Sequence, residues 1–128
     1  MTRILKRSVA ALVLLVSAAA CAPAAGPAAH LTLADIQPIV TPLTYRELLG
    51  EKCGEPNLKV KTAFMADLKA AAATPELLTQ AAAEAARIEA AERETPNEYV
   101  CTAELFDSTE KNAADAQKAW IELKNRKS

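Results

Sequence analysis

Three cysteines, Cys21, Cys53 and Cys101, constrain this chain more than any other feature, because their number is odd and their spacing is wide. An odd count leaves one thiol to account for, and its fate depends on the compartment. The first twenty residues bear on that. Arg3, Lys6 and Arg7 make a positive beginning, residues 9–16 are apolar, and Ala18, Ala19 and Ala20 place small side chains before a cleavage point. This is the layout of an export signal over residues 1–20. Its apolar run falls short of the roughly 20 residues a helix needs to cross a bilayer.

The cysteine that follows the alanines is the odd one. Ser17-Ala18-Ala19-Ala20-Cys21 resembles a bacterial lipobox, in which the thiol receives diacylglycerol and cleavage makes the cysteine the first residue of the mature chain. The same triplet suits ordinary signal-peptide cleavage, so both fates are open to Cys21. Lipidation would leave several acyl chains at one terminus. At about 0.8 kcal/mol per buried CH₂ these anchor firmly, where a single chain would not. By resemblance to other lipoproteins, Ala22 carries no inner-membrane retention signal, which favours the periplasmic face of the outer membrane; without the lipid the product belongs in the periplasm.

With Cys21 lipidated, Cys53 and Cys101 have one possible pairing, and an oxidising compartment favours a disulfide. Closing a loop of about 48 residues would stabilise the fold by roughly 4 kcal/mol in the entropic model. Metal ligation is the competing use, but there is no CxxC pair and no nearby His.

Between signal and domain, residues 21–31 read as a flexible tether of Ala, Pro and Gly, with His30, the single His, as a solvated residue near its end. From 32 to 128 the chain reads as helical. Nineteen of the 98 residues from Leu31 onward are Ala, the best helix former, and no alternating run marks a strand. Pro, Gly and Asn divide this region into four segments. The first, residues 33–52, repeats Ile36, Val40, Leu43 and Leu48 or Leu49 at helical spacing, but Pro38 and Pro42 predict a kink or a turn feeding a shorter helix. The second begins with Asn57 as N-cap and buries Val60, Phe64, Leu68 and Ala71. The third begins at Thr74-Pro75-Glu76, a cap, a first-position Pro and a first-turn acid, and turns Leu78, Ala81 or Ala82, Ala85 and Ile88 inward. The fourth begins after Thr102 and runs to about 126, with Phe106, Thr109, Ala113, Ala116, Trp120 and Leu123 as its stripe. The expectation is an all-α protein, a small four-helix bundle, with the disulfide tying the end of the first helix to the start of the fourth.

Composition excludes several functions. A formal net charge of −1 argues against a nucleic-acid footprint. One His, no phosphate-cradling Gly loop and carboxylates spread over helix faces leave no catalytic constellation, no metal site and no cofactor site.

A signal with Cys21, a tether, and four helices stapled between first and fourth is similar to a type II secretion pilotin. The matching stretches are YRELLGEKC (residues 45–53), PELLTQ (residues 75–80) and YVCTAELF (residues 99–106). The resemblance implies a non-enzymatic outer-membrane lipoprotein. Such a protein holds a C-terminal segment of a secretin, folded as a helix, in a groove of the bundle and carries the secretin to the outer membrane. Ile36, Val40 and Leu43 facing Leu78, Ile88, Phe106 and Trp120 are the candidate groove; the alternative is that all seven are core. A second expectation from another class is a soluble periplasmic acid-stress chaperone. Removal of the signal leaves 12 basic against 16 acidic residues, a net charge of −4, and acid would turn this chain strongly positive and loosen it by self-repulsion. Metabolic labelling with a fatty acid separates the two: the anchored reading predicts label on the wild type and none on Cys21→Ser, whereas unlabelled, freely soluble wild type favours the chaperone.

Overall fold

The first helical segment is one unbroken helix, α1 (Leu33–Cys53), with both prolines inside it. The structure, a computed structural model, describes residues 26–54 and 58–126. The expected signal peptide, Cys21 and the expected cap Asn57 lie outside the described residues. Of the two outcomes expected at Pro38 and Pro42, the turn feeding a shorter helix does not form, and the chain stays helical through both prolines. Each proline removes one backbone donor, but Pro38 is exposed, where water reaches the neighbouring backbone. Burial of Ile36, Ile39, Val40 and Leu43 outweighs the roughly 3 kcal/mol that an interior proline costs. Asp35 fixes the start, its carboxylate accepting from the Thr32 amide (2.8 Å) and hydroxyl (3.0 Å). Gly54 ends the helix in the left-handed conformation, φ 68°, as a C-terminal glycine does.

Four more helices follow: α2 (Val60–Ala70), α3 (Pro75–Arg93), the single-turn α4 (Asn97–Val100) and α5 (Ala103–Asn125). The caps at Thr74 and Thr102 form as expected, each hydroxyl accepting the amide three residues on (3.1 Å from Leu77, 3.2 Å from Leu105). The four long helices alternate in direction, and α1 packs against α2, α3 and α5. α1 is therefore buried around most of its second half, where Leu43, Thr44, Arg46, Glu47, Leu48, Leu49 and Gly50 are all enclosed. On α3 the inward set is Leu77, Ala81, Ala85 and Ile88. Leu77 takes the place expected of Leu78, which is half-buried. On α5 it is Ala113, Ala116, Trp120 and Leu123, in steps of three and four.

Residues 26–31, expected to belong to the tether, are folded onto the domain. From Gly26 the chain forms a turn docked on the α2–α3 corner: the Ala28 amide donates to the Ala71 carbonyl (2.8 Å), and Ala28 is fully buried. His30 is exposed on this turn. A Cβ on Gly26 would lie 2.4 Å from the Ala72 Cβ and 2.6 Å from the Ala71 carbonyl oxygen, so only glycine fits this approach. Ala72 itself is left-handed (φ 67°), closing α2 where glycine is the usual residue.

Two polar clusters join helices. Glu47 on α1 accepts from the amide and hydroxyl of Thr62 (both 3.1 Å) and meets Lys61 at 3.4 Å, while Lys61 reaches Glu89 on α3 at 3.0 Å. At the other cluster, Phe64 and Trp120 meet edge to face with centroids 5.1 Å apart. The Trp120 indole and the Lys124 ammonium both donate to Asp67 Oδ2 at 2.6 Å.

The Lys124 hydrogen bond first, then that of Trp120, hold the Asp67 carboxyl below its ordinary value. A depressed folded pKa gives stability that is complete above the unfolded value near 3.9 and is lost as pH falls through the folded one. Acid loss of the near-UV signal of Trp120 should therefore set in below about pH 4, and Asp67→Asn should flatten it. An unchanged acid limb in the variant would contradict this account of the α2–α5 contact.

Candidate functional site

The seven residues expected to line a groove do not form one. Ile36, Val40, Leu43, Ile88 and Trp120 are 0–5% exposed. Leu78 is half-buried against the core, and Phe106 is half-buried with its ring under the Arg46 guanidinium, 4.7 Å from the centroid. The cause is alanine. With Ala81, Ala85, Ala113 and Ala116 at the buried positions of α3 and α5, these helices approach α1 closely and close the space that longer side chains would have held open.

The open apolar surface lies at the opposite end of the molecule from Gly26. There Tyr45, Leu48, Leu49 and Lys52 of α1, Glu92 of α3, Val100 of α4, and Leu105 and Thr109 of α5 line a cleft of ≈ 170 Å³. Beyond Leu105, Tyr99, Thr102, Glu104 and Ser108 line a second, shallower depression. The cleft lies where α5 has no fully buried residue before Ala113: there the half-buried Phe106 packs under Arg46 of α1, and Leu105 and Thr109 border the opening beside Val100 of α4. Tyr45 and Leu105 are each 39% exposed and Tyr99 67%, three of the five large apolar side chains exposed among the described residues.

Three devices hold this end in place. The Cys53–Cys101 disulfide joins α1 to the segment between α4 and α5, Cα to Cα 5.5 Å, the pairing expected from the cysteine count. The Lys52 ammonium donates to the carbonyl oxygens of Glu92 and Thr95, both at 2.6 Å, holding the negative end of the α3 dipole. Asn97 Nδ2 donates to the Lys52 carbonyl oxygen at 3.1 Å. Beside them, Arg46 is 2% exposed; its Nε and Nη1 have no hydrogen-bond partner among the described residues, and the Phe106 ring offsets part of the cost of burying its charge.

This geometry suits binding through shape and apolar contact. At ≈ 170 Å³ the cleft is below the roughly 300–1,000 Å³ of small-molecule sites, and it is open, so it fits side chains projecting from a surface laid across it. Among the described residues no group of three or more His, Cys, Asp and Glu could hold a metal ion, and no helix is long and apolar enough to cross a membrane. The missed residues were legible in part: Tyr45, Leu48 and Leu49 fall within YRELLGEKC, and Tyr99, Val100 and Leu105 within YVCTAELF, the segments the disulfide joins. Their exposure was hidden, because it depends on α4, a single turn too short to show a period. Compared with protein-family models, curated proteins and solved structures, the chain has no match in any of the three.

Replacing Lys52 by Met removes both carbonyl contacts while keeping the apolar stem. Charged hydrogen bonds of this kind contribute about 1.5–3 kcal/mol. Denaturant unfolding should therefore show a loss of about 2 kcal/mol, and amide exchange should quicken first over residues 92–101. A variant as stable and as protected as the wild type would show that Lys52 does not hold the cleft together.

Proposed function

We propose that this chain is a pilotin-like adaptor, a non-enzymatic exported protein that holds a helical C-terminal segment of a secretin and carries it to the outer membrane. The observation that carries this reading is the cleft between α1, α4 and α5, an open apolar surface framed by a disulfide, at the end of the molecule farthest from Gly26. An amphipathic helix seats its apolar face in such a groove through residues at i, i+3, i+4 and i+7.

The placement of the ends supports it. α1 runs the whole distance between the Gly26 turn and the cleft, and its 21 residues span about 30 Å. Five residue steps lead from Cys21 to Gly26, at most about 17 Å of chain. Lipid on Cys21 would therefore keep the Gly26 end near the bilayer and leave the cleft on the far side, clear for a protein partner. The acid-stress chaperone remains the competing reading; the Asp67 contact supplies one acid-labile junction for it, but that contact lies between α2 and α5 rather than at the cleft.

Affinity capture from outer-membrane extracts tests the proposal. The wild-type chain should recover a secretin, identified by mass spectrometry. Recovery should be lost when the secretin's C-terminal segment is deleted and reduced at least tenfold by Leu105→Glu, a substitution at an exposed position that leaves the helical signal unchanged. Failure to recover any secretin, together with acid-induced binding of unfolded clients, would move the assignment to the chaperone.

A further inference from the structure

We propose that the segment held in the cleft is a basic amphipathic helix, its apolar face on Tyr45, Val100 and Leu105 and its Lys or Arg side chains against Glu92, Glu98 and Glu104. This rests on the reading of the cleft as a helix-docking site and adds the chemistry of the occupant.

The carboxylates carry the inference. Glu92 lines the cleft, Glu104 lines the depression beyond Leu105, and Glu98 is exposed on α4 between Asn97 and Tyr99. None of the three forms an ion pair among the described residues. The cations nearby pair with none of them, and Arg46 is buried under the Phe106 ring. The Lys52 ammonium sits on two backbone carbonyls, Arg87 is bound to Glu84 at 2.6 Å, and Arg93 turns to Glu89 at 3.8 Å. Glu51 and Glu94, also exposed here, add to the same sign. An apolar floor rimmed by carboxylates that outnumber the Lys52 and Arg46 cations beside them favours a partner with the opposite sign, by steering the encounter and by disfavouring acidic competitors. It also disfavours an anionic membrane surface as the occupant.

The dimensions agree with a helix. From Tyr45 to Lys52 the floor follows seven residues of α1, about 10 Å, the distance between residues i and i+7 of a helix laid along it. The two depressions on either side of Leu105 provide places for successive turns of the guest.

The test uses the purified full chain and labelled synthetic 18-residue helical peptides read by fluorescence anisotropy. All carry leucine at i, i+3, i+4 and i+7, flanked by Lys, Gln or Glu. Three partly exposed ion pairs of a few tenths to 1 kcal/mol each predict that the Lys peptide binds about tenfold more tightly than the Gln peptide, with the Glu peptide weakest. Raising the salt from 50 to 300 mM should shrink that preference, and the combined variant Glu92→Gln, Glu98→Gln, Glu104→Gln should bring it within twofold. A Lys peptide with serine in place of leucine should not bind; equal binding would reduce the contact to non-specific charge and overturn the proposal. Equal affinities for the Lys, Gln and Glu peptides, all lost in Leu105→Glu, would overturn the charge assignment and leave the docking site standing. No binding by any peptide, or binding that Leu105→Glu leaves unchanged, would overturn both.

Discussion

The enclosure of α1 by three other helices is the constraint on which the rest depends. A helix at the centre of a small bundle must be apolar on several sides or neutralise what it buries, and α1 does both. Its first half contributes Ile36, Ile39, Val40 and Leu43. Its second half buries Glu47, held by Lys61 and Thr62, and Arg46, stacked on Phe106. The same enclosure keeps the helix continuous through two prolines. It also sets the polarity of the molecule: Gly26 docks at one end of α1, and the disulfide and cleft sit at the other.

Alanine then decides where the surface closes and where it stays open. Along α3 and the second half of α5 small side chains permit close approach, and the core there is complete. In the first half of α5 no residue is fully buried and Phe106 meets α1 through Arg46, so the disulfide, Lys52 and Asn97 reinforce a thin contact in holding the helix ends together. Covalent and polar ties fix position without filling space, and the cleft is the space they leave. A cleft framed this way is pre-organised, which would lower the ordering cost of the guest proposed for it.

Much of this was legible in the residues. The helical content, the caps at Thr74 and Thr102, the stripe of α5 from Ala113 to Leu123 and the Cys53–Cys101 bond all follow from local chemistry or from counting. What was not legible depends on tertiary contact. Pro38 and Pro42 are helix breakers by local rule, and only the burial of their neighbours overrides it. Leu77 and Leu78 are identical side chains one position apart, and the choice between them is set by how α3 leans on α1. Ile36, Val40, Leu43, Ile88 and Trp120 have the periodicity of a groove wall, but periodicity is the same for a wall and for a core. The difference lies in the side chains opposite, which a helical pattern does not report. Residues 26–31 have the composition of a tether yet are folded, because nothing about Gly26 or Ala28 in isolation says that the α2–α3 corner has a matching hollow.

The most direct test of the account is a nitrogen-15 titration of the chain with a secretin C-terminal segment, the partner proposed for it, following every backbone amide. The account predicts shifts confined to residues 45–52, 92 and 98–109, with the amides around Ile36, Leu77 and Trp120 unmoved. Shifts centred on the Gly26 turn or on the α2–α3 corner, or none at saturating peptide, would contradict it.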